Sequence, residues 1–118
     1  MHVAVAFVGM GGWALFANRA HGAGAIGPAL AQGTMSGLIT LGLKRALEAF
    51  ASRLSGWTAY VLPPLLTASV ILAVLIGVHR LIGTPEIAVT IAVPWSISTL
   101  YAILYTAALA RGRRGKLG

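Results

Sequence analysis

The sequence predicts an all-α integral membrane protein with four transmembrane helices arranged as two antiparallel hairpins. Hydrophobic residues make up 58% of the 118 residues, charged residues only 9%, and the mean hydropathy is +0.86. Because a soluble domain has about 25% charged residues, this chain has too few charges to cover a surface that faces water. The basic residues also stand next to the ends of apolar runs, as they do in membrane proteins.

The first expected span covers residues 2–18 and ends at Asn18, before Arg19. At about 1.5 Å per residue it is short for a hydrocarbon core of roughly 30 Å. A signal peptide would begin with positive charge, and none precedes this run. We therefore expect a retained helix.

The second expected span covers residues 28–43 and continues as a helical extension to residue 54. Pro28 is expected at the first helical position, where the missing N–H costs nothing. In the extension, Leu47, Phe50 and Leu54 recur at helical spacing, opposite Arg45 and Glu48. This pattern predicts an amphipathic segment that lies at the lipid headgroups.

The third expected span covers residues 62–82, with Pro63 and Pro64 in its first turn. Trp57 and Tyr60 precede it and are typical of aromatic anchors at a membrane interface. The fourth expected span covers residues 85–110 and is interrupted by Pro94. Residues 111–118 then form a basic tail, so the whole chain is expected to be a single four-helix domain, 1–118.

The junction between the third and fourth spans has the most specific local pattern in the chain. Gly83 suits the residue just after a helix, and Thr84 suits the N-cap of the next one. Pro85 would then be the first helical residue, and Glu86 would complement the helix dipole in the first turn. Such a short junction predicts a tight antiparallel hairpin.

The distribution of basic residues predicts the orientation. With four spans, seven of the nine Lys and Arg residues fall on the side that holds both termini, and only Arg19 and Arg80 fall on the other. The positive-inside rule therefore predicts a multi-pass protein of the inner (cytoplasmic) membrane with both termini in the cytoplasm. The expected partners are membrane lipids and other transmembrane helices, and no nucleic acid is expected because the basic residues do not gather into one patch.

Two rows of small residues are candidate helix-packing faces. One lies on the second span, the other on the fourth, and their members are Ala29, Gly33, Gly37, Ser98, Ala102 and Thr106. Small residues let transmembrane helices approach closely. The two rows either meet inside one four-helix bundle, or at least one of them faces another copy or a larger partner.

A second set of residues is a candidate ligand or ion site, with members Arg80, Glu86, Gln32, Tyr101 and Tyr105. Ionisable groups at membrane depth often serve a function, although helix capping, snorkelling and bonding between helices explain the same residues. Arg80 and Glu86 could form an ion pair across the hairpin. His79 is a further candidate, as a ligand of haem or a chlorophyll-type pigment, although it lies in the last turn of its helix.

The residue inventory argues against an enzyme. The chain has no cysteine, no aspartate, and two glutamates that fall on opposite sides of the membrane, so no catalytic residue, metal site or cofactor is expected. The sequence favours a non-enzymatic structural or accessory subunit that acts through helix–helix association, in a larger membrane complex or a homo-oligomer. The alternative is a small transporter or lipid-handling protein with a polar path near Glu86, Arg80 and the Tyr101 and Tyr105 face.

Overall fold

Four α-helices and one 3₁₀ helix make up this computed structural model, which describes residues 2–117 and the side chains of residues 4–112. In chain order they are α1 (His2–Ala17), the 3₁₀ helix (Arg19–Ala25), α2 (Ile26–Ala51), α3 (Thr58–Ile82) and α4 (Ile87–Leu117). The described residues contain no strand, which confirms the all-α prediction. Gly118 and the side chains of Arg113, Arg114 and Lys116, all in the predicted basic tail, lie outside this description.

Two of the described helices are long and apolar enough to cross a membrane. They are α3, with a mean hydropathy of 2.4, and residues Ile87–Gly112 of α4, with 1.8. The apolar part of α1, Ala4–Ala17, is shorter. Helix α2 is long enough, but Gln32 and several glycines lower its hydropathy. Length and composition are thus consistent with membrane association.

The connection between α1 and α2 is more regular than predicted. It forms a 3₁₀ helix with a kink at Gly22, whose φ of 57° lies in the left-handed region that favours glycine. Helix α2 begins at Ile26, so Pro28 is its third residue and not its first. The shift costs no hydrogen bond, since the first four N–H groups of a helix have no partner within it.

The extension of α2 is helical as far as Ala51, and part of its apolar side packs against another helix. Leu47 is almost fully buried and packs with Leu43 against Ala102 of α4. Helix α4 supplies this surface from residues inside its predicted span, 85–110, although the helix itself continues to Leu117. The apolar side of the extension is therefore part of the bundle.

Helix α3 begins at Thr58, four residues before the predicted start. Pro63 and Pro64 consequently lie in its second turn, where they cannot donate to the carbonyl groups four residues earlier. A turn with Gly56 at φ 65° precedes the helix. The Thr58 hydroxyl donates to the Ser55 carbonyl at 2.6 Å and ties the helix start to this turn.

Helices α3 and α4 form the predicted tight hairpin. Gly83 adopts the left-handed conformation after α3, as expected, with φ 72°. Helix α4 begins at Ile87, two residues later than predicted. Pro94 lies inside α4 without ending it, and the Trp95 indole N–H donates to the Ala68 carbonyl of α3 at 2.9 Å.

The apolar core lies between α2, α3 and α4. Met35, Leu75 and Ile91 pack together, one from each of these helices. We call the end of the bundle that holds the α1–α2 and α3–α4 connections the Asn18 end. The opposite end, with the α2–α3 connection, is the Trp57 end.

Candidate functional site

A cluster of buried polar side chains lies at the Asn18 end. Each member is at most 6% exposed, and we call the set the polar cluster: Asn18, Gln32, Ser36, His79, Thr84 and Thr90. These residues come from α2, α3, α4 and the two connections. Buried polar groups are costly unless they are hydrogen-bonded, so their bonding pattern decides what the cluster does.

His79 is bonded on both sides of its ring. The Gln32 amide nitrogen donates to Ser36 Oγ at 2.9 Å, which leaves the Gln32 carbonyl oxygen to accept from His79 Nε2, also at 2.9 Å. His79 Nδ1 lies 2.7 Å from Thr84 Oγ1. A neutral ring has one donor and one acceptor nitrogen, so with Nε2 donating, Nδ1 accepts the Thr84 hydroxyl proton.

This bonding corrects the predicted role of Thr84. Its hydroxyl bonds the His79 ring at the end of α3 and does not cap α4, which begins three residues later. Both ring nitrogens of His79 are engaged in these hydrogen bonds, so neither offers a free lone pair to the metal of a haem or a pigment. In this arrangement His79 joins α2, α3 and the hairpin turn.

Asn18 forms the second branch of the polar cluster. Its side-chain nitrogen donates to Thr90 Oγ1 at 2.7 Å and to the Ala14 carbonyl at 2.9 Å. Its side-chain oxygen accepts from the Glu86 backbone N–H at 3.0 Å. The start of α4 is therefore capped by a residue 68 positions away in the chain, a long-range version of the side-chain capping that usually acts locally.

Helices α1 and α2 approach each other closely next to the polar cluster. A Cβ atom on Gly33 would lie 2.9 Å from the Phe7 carbonyl oxygen, and one on Gly11 would lie 2.9 Å from the Ala29 carbonyl oxygen. Real Cβ atoms do not approach so closely. Glycine at both positions is thus required for the contact.

The predicted packing rows occupy different contacts. Gly33 lies against Phe7 of α1, and Gly37 is buried beside it on α2. Ala102 packs on Leu43 and Leu47, in the other half of α2. Ser98 and Thr106 are also buried, and Ala29 is half-buried. In these contacts both rows face other helices of the same chain.

The predicted ligand site is not assembled in one place. Gln32 is in the polar cluster, while Arg80 is exposed beside it on α3. Glu86 does not pair with Arg80, because its carboxylate lies 3.3 Å from His21 Nε2 on the surface. Tyr101 and Tyr105 stack on each other at 5.4 Å near the Trp57 end, where the Tyr105 hydroxyl donates to Glu48 at 2.7 Å.

The polar cluster was only partly visible in the sequence. The spacing of Gln32 and Ser36 by four places them on one helix face, and Gln32 was among the candidates. Asn18 and Thr90 were missed because each looks like an ordinary residue near a helix end. Within the part of the chain described, no three His, Cys, Asp or Glu side chains are close enough to hold a metal ion.

The Trp57 half of the bundle contains an apolar cleft of about 420 Å³. It lies between residues 38–50 of α2 and 66–74 of α3, and its lining is almost entirely apolar. Gly42 and Ala46 are the small residues of its α2 wall. The sequence does not predict this cleft, because a gap depends on how far apart two helices lie.

Comparison with protein-family models, curated proteins and solved structures finds no match for this chain. Its function is therefore inferred from its own geometry.

Proposed function

We propose that this chain is a small integral membrane protein whose four helices all cross the bilayer and which serves as a structural or accessory subunit. One observation carries the proposal: the polar cluster is hydrogen-bonded inside the bundle, while large apolar side chains cover the outside. Examples of the latter, one from each helix, are Val8, Leu41, Val70 and Leu104, each at least 58% exposed. Water does not favour such an exterior, whereas lipid does.

The contacts of α1 and α2 support four spans, although these helices are less apolar than α3 and α4. Helix α1 runs beside α4 and is joined to it by Asn18 and by the Trp13 indole, which donates to the Val89 carbonyl at 2.9 Å. Helix α2 contacts α3 at Gln32 and α4 at Leu47. If α3 and α4 cross a bilayer, their packed neighbours accompany them through it.

In the proposed orientation the protein lies in the inner membrane, with both termini in the cytoplasm. Because the chain has no cysteine, single cysteines report topology without background. We expect a membrane-impermeant maleimide added outside intact spheroplasts to label Ala23→Cys and not Ser55→Cys. Labelling of both positions from the same side would contradict the hairpin arrangement in the membrane.

The structural or accessory role rests on the exposed apolar helix faces and on the hydrogen-bonded polar cluster. Lipid gives helices no hydrophobic reason to associate, so association uses close packing between their faces. Extraction in a mild detergent is expected to give a defined oligomer or a stoichiometric partner. A monomer that carries no partner, together with no cross-linking in membranes from single cysteines at the four exposed positions, would overturn this role.

Lipid handling is a second candidate because of the cleft between α2 and α3. The transporter version has less support: its polar residues divide between the two ends of the bundle, with Glu86 bonded to His21 at one end and Tyr105 to Glu48 at the other. Proton or cation flux in liposomes that is abolished by Glu86→Gln would favour the transporter.

A further inference from the structure

The cleft has the length of one lipid acyl chain. Its α2 wall runs from Leu38 to Phe50, which at about 1.5 Å per residue is roughly 18 Å. Half of a hydrocarbon core of roughly 30 Å is about 15 Å. The cleft therefore extends over about one leaflet, in the half of the bundle nearest the Trp57 end.

The space exists because the α2 wall has small side chains. A Cβ atom on Gly42 would meet nothing within 4 Å, so larger groups fit there without moving the helices. Leu38 and Val70, on opposite walls, are 63% and 61% exposed, so the cleft is open along its length. An acyl chain could enter sideways from the bilayer.

One arginine lies where this wall leaves the cleft, and a second flanks the wall within the stretch from Leu38 to Phe50. Arg53 follows Phe50 by three residues and lies in the turn after α2, just past the end of the cleft wall. Arg45 follows Gly42 by three residues and flanks the face of α2 that lines the cleft. Both are exposed, and among the described residues neither forms an ion pair.

Lys44 provides a contrast on the same helix. Its Nζ lies 4.0 Å from Glu48, whose carboxylate also accepts the Tyr105 hydroxyl of α4. Lys44 is thus directed toward α4 and away from the cleft. Lys44 therefore differs from Arg45 and Arg53, which form no ion pair among the described residues.

We propose that the cleft binds one acyl chain of an anionic phospholipid, whose phosphate is held by Arg45 and Arg53. A guanidinium group forms strong paired hydrogen bonds with phosphate oxygens, and the apolar walls suit an acyl chain. Trp57, which is exposed at the same end, is typical of a residue at headgroup depth. The site rests on the proposed insertion of the chain in a membrane.

The chain-binding part is tested by native mass spectrometry of the full protein in micelles with equimolar phosphatidylglycerol and phosphatidylcholine. We expect one retained phosphatidylglycerol, reduced about tenfold or more by Gly42→Leu, which equals a loss of roughly 1.4 kcal/mol. Gly77→Leu is the matched control, because Gly77 also has open space around it but lies outside the cleft. Equal losses in both variants would overturn the site.

The headgroup part is tested with Arg45→Gln/Arg53→Gln, compared with Lys44→Gln. The double variant should lose about thirtyfold in phosphatidylglycerol retention, since each basic group near an anionic surface contributes about 1 kcal/mol. The Lys44 variant should change little. Retention of phosphatidylcholine equal to that of phosphatidylglycerol in the unmodified protein would contradict the role of the arginines.

A second copy of the chain is the competing occupant of the cleft. Val70 lines the cleft. In the Val70→Cys variant, oxidation in native membranes would form a disulfide-linked dimer if the clefts of two copies face each other. Such a dimer, together with no retained lipid, would overturn the proposal. If the chain instead left the membrane fraction in alkaline carbonate, the proposed function itself would fail, and the two failures are therefore distinguishable.

Discussion

The two ends of this bundle hold their helices together in different ways. At the Asn18 end, hydrogen bonds between side chains join α1 to α4 and α2 to α3, and glycines let α1 and α2 touch along their backbones. At the Trp57 end, Leu43 and Leu47 pack on Ala102, and a cleft separates part of α2 from α3.

The difference has a physical reason in a membrane setting. Apolar contacts between helices replace apolar contacts with lipid, so they give little preference for one arrangement. Hydrogen bonds and backbone contacts are directional, and they define a particular arrangement. We infer that the Asn18 end sets the geometry of the four helices, while the Trp57 end tolerates a gap.

The largest effect is expected from Gly33→Leu at the Asn18 end. The new side chain would clash with the Phe7 backbone carbonyl, which cannot move without displacing α1. Overpacking costs typically 1–3 kcal/mol and occasionally more, and we expect about 3 kcal/mol or more here. The measurement is chemical denaturation in micelles followed by circular dichroism.

Gly42→Ala is the matched control for this substitution at the Trp57 end. With nothing near the added methyl group, the unfolding free energy should stay the same or rise by about 0.5–1 kcal/mol, as alanine favours helix over glycine. A similar loss of stability at both glycines would remove the distinction between the ends.

The next effect is expected from His79→Phe, which keeps a ring but removes both hydrogen bonds. Gln32 and Thr84 would each retain a buried polar atom without its present partner. Bonds between membrane helices average about 0.6 kcal/mol and reach about 1.7, so we expect a loss of about 1–3 kcal/mol. His21→Phe, on the surface, should change the unfolding free energy by less than about 0.5 kcal/mol.

The sequence predicted local features of these ends better than contacts between helices. Most predicted helix boundaries lie within a few residues of the observed ones, since the capping and proline preferences that predict them act locally. The sequence predicts the small row at Gly33 from spacing alone, and in the structure Gly33 lies against Phe7. Whether the Thr84 hydroxyl caps α4 or bonds the His79 ring depends on the position of the end of α3 relative to the start of α4. A local sequence pattern does not specify that position.

The same reason applies at the Trp57 end, where the sequence does not show which surface the extension meets. An amphipathic extension at residues 44–54 has an apolar face that lipid headgroups or another helix could cover equally well. Helix α4 covers part of it, where Ala102 packs on Leu47. Likewise, Asn18 follows α1 like any terminal polar residue, yet it bonds to Thr90 across the bundle.

A smaller effect measures the Asn18 branch directly. In a double-mutant cycle with Asn18→Ala and Thr90→Val, the coupling free energy should be about 0.6 kcal/mol, and at most roughly 1.7. The cycle subtracts the other contacts of each residue, including the bond from Glu86 to Asn18. A coupling near zero would indicate that this bond does not join α1 and α4.

The smallest effect is expected at the Trp57 end, from Tyr105→Phe. This substitution removes the bond to Glu48, but Glu48 is exposed and keeps Lys44 within 4.0 Å. Because both polar groups can find water or headgroup partners, we expect a change below about 0.5 kcal/mol in the unfolding free energy. Tyr105→Phe also preserves the ring stacked on Tyr101, so any larger loss must come from the hydroxyl. A loss equal to that of His79→Phe would mean that polar contacts hold both ends of the bundle alike.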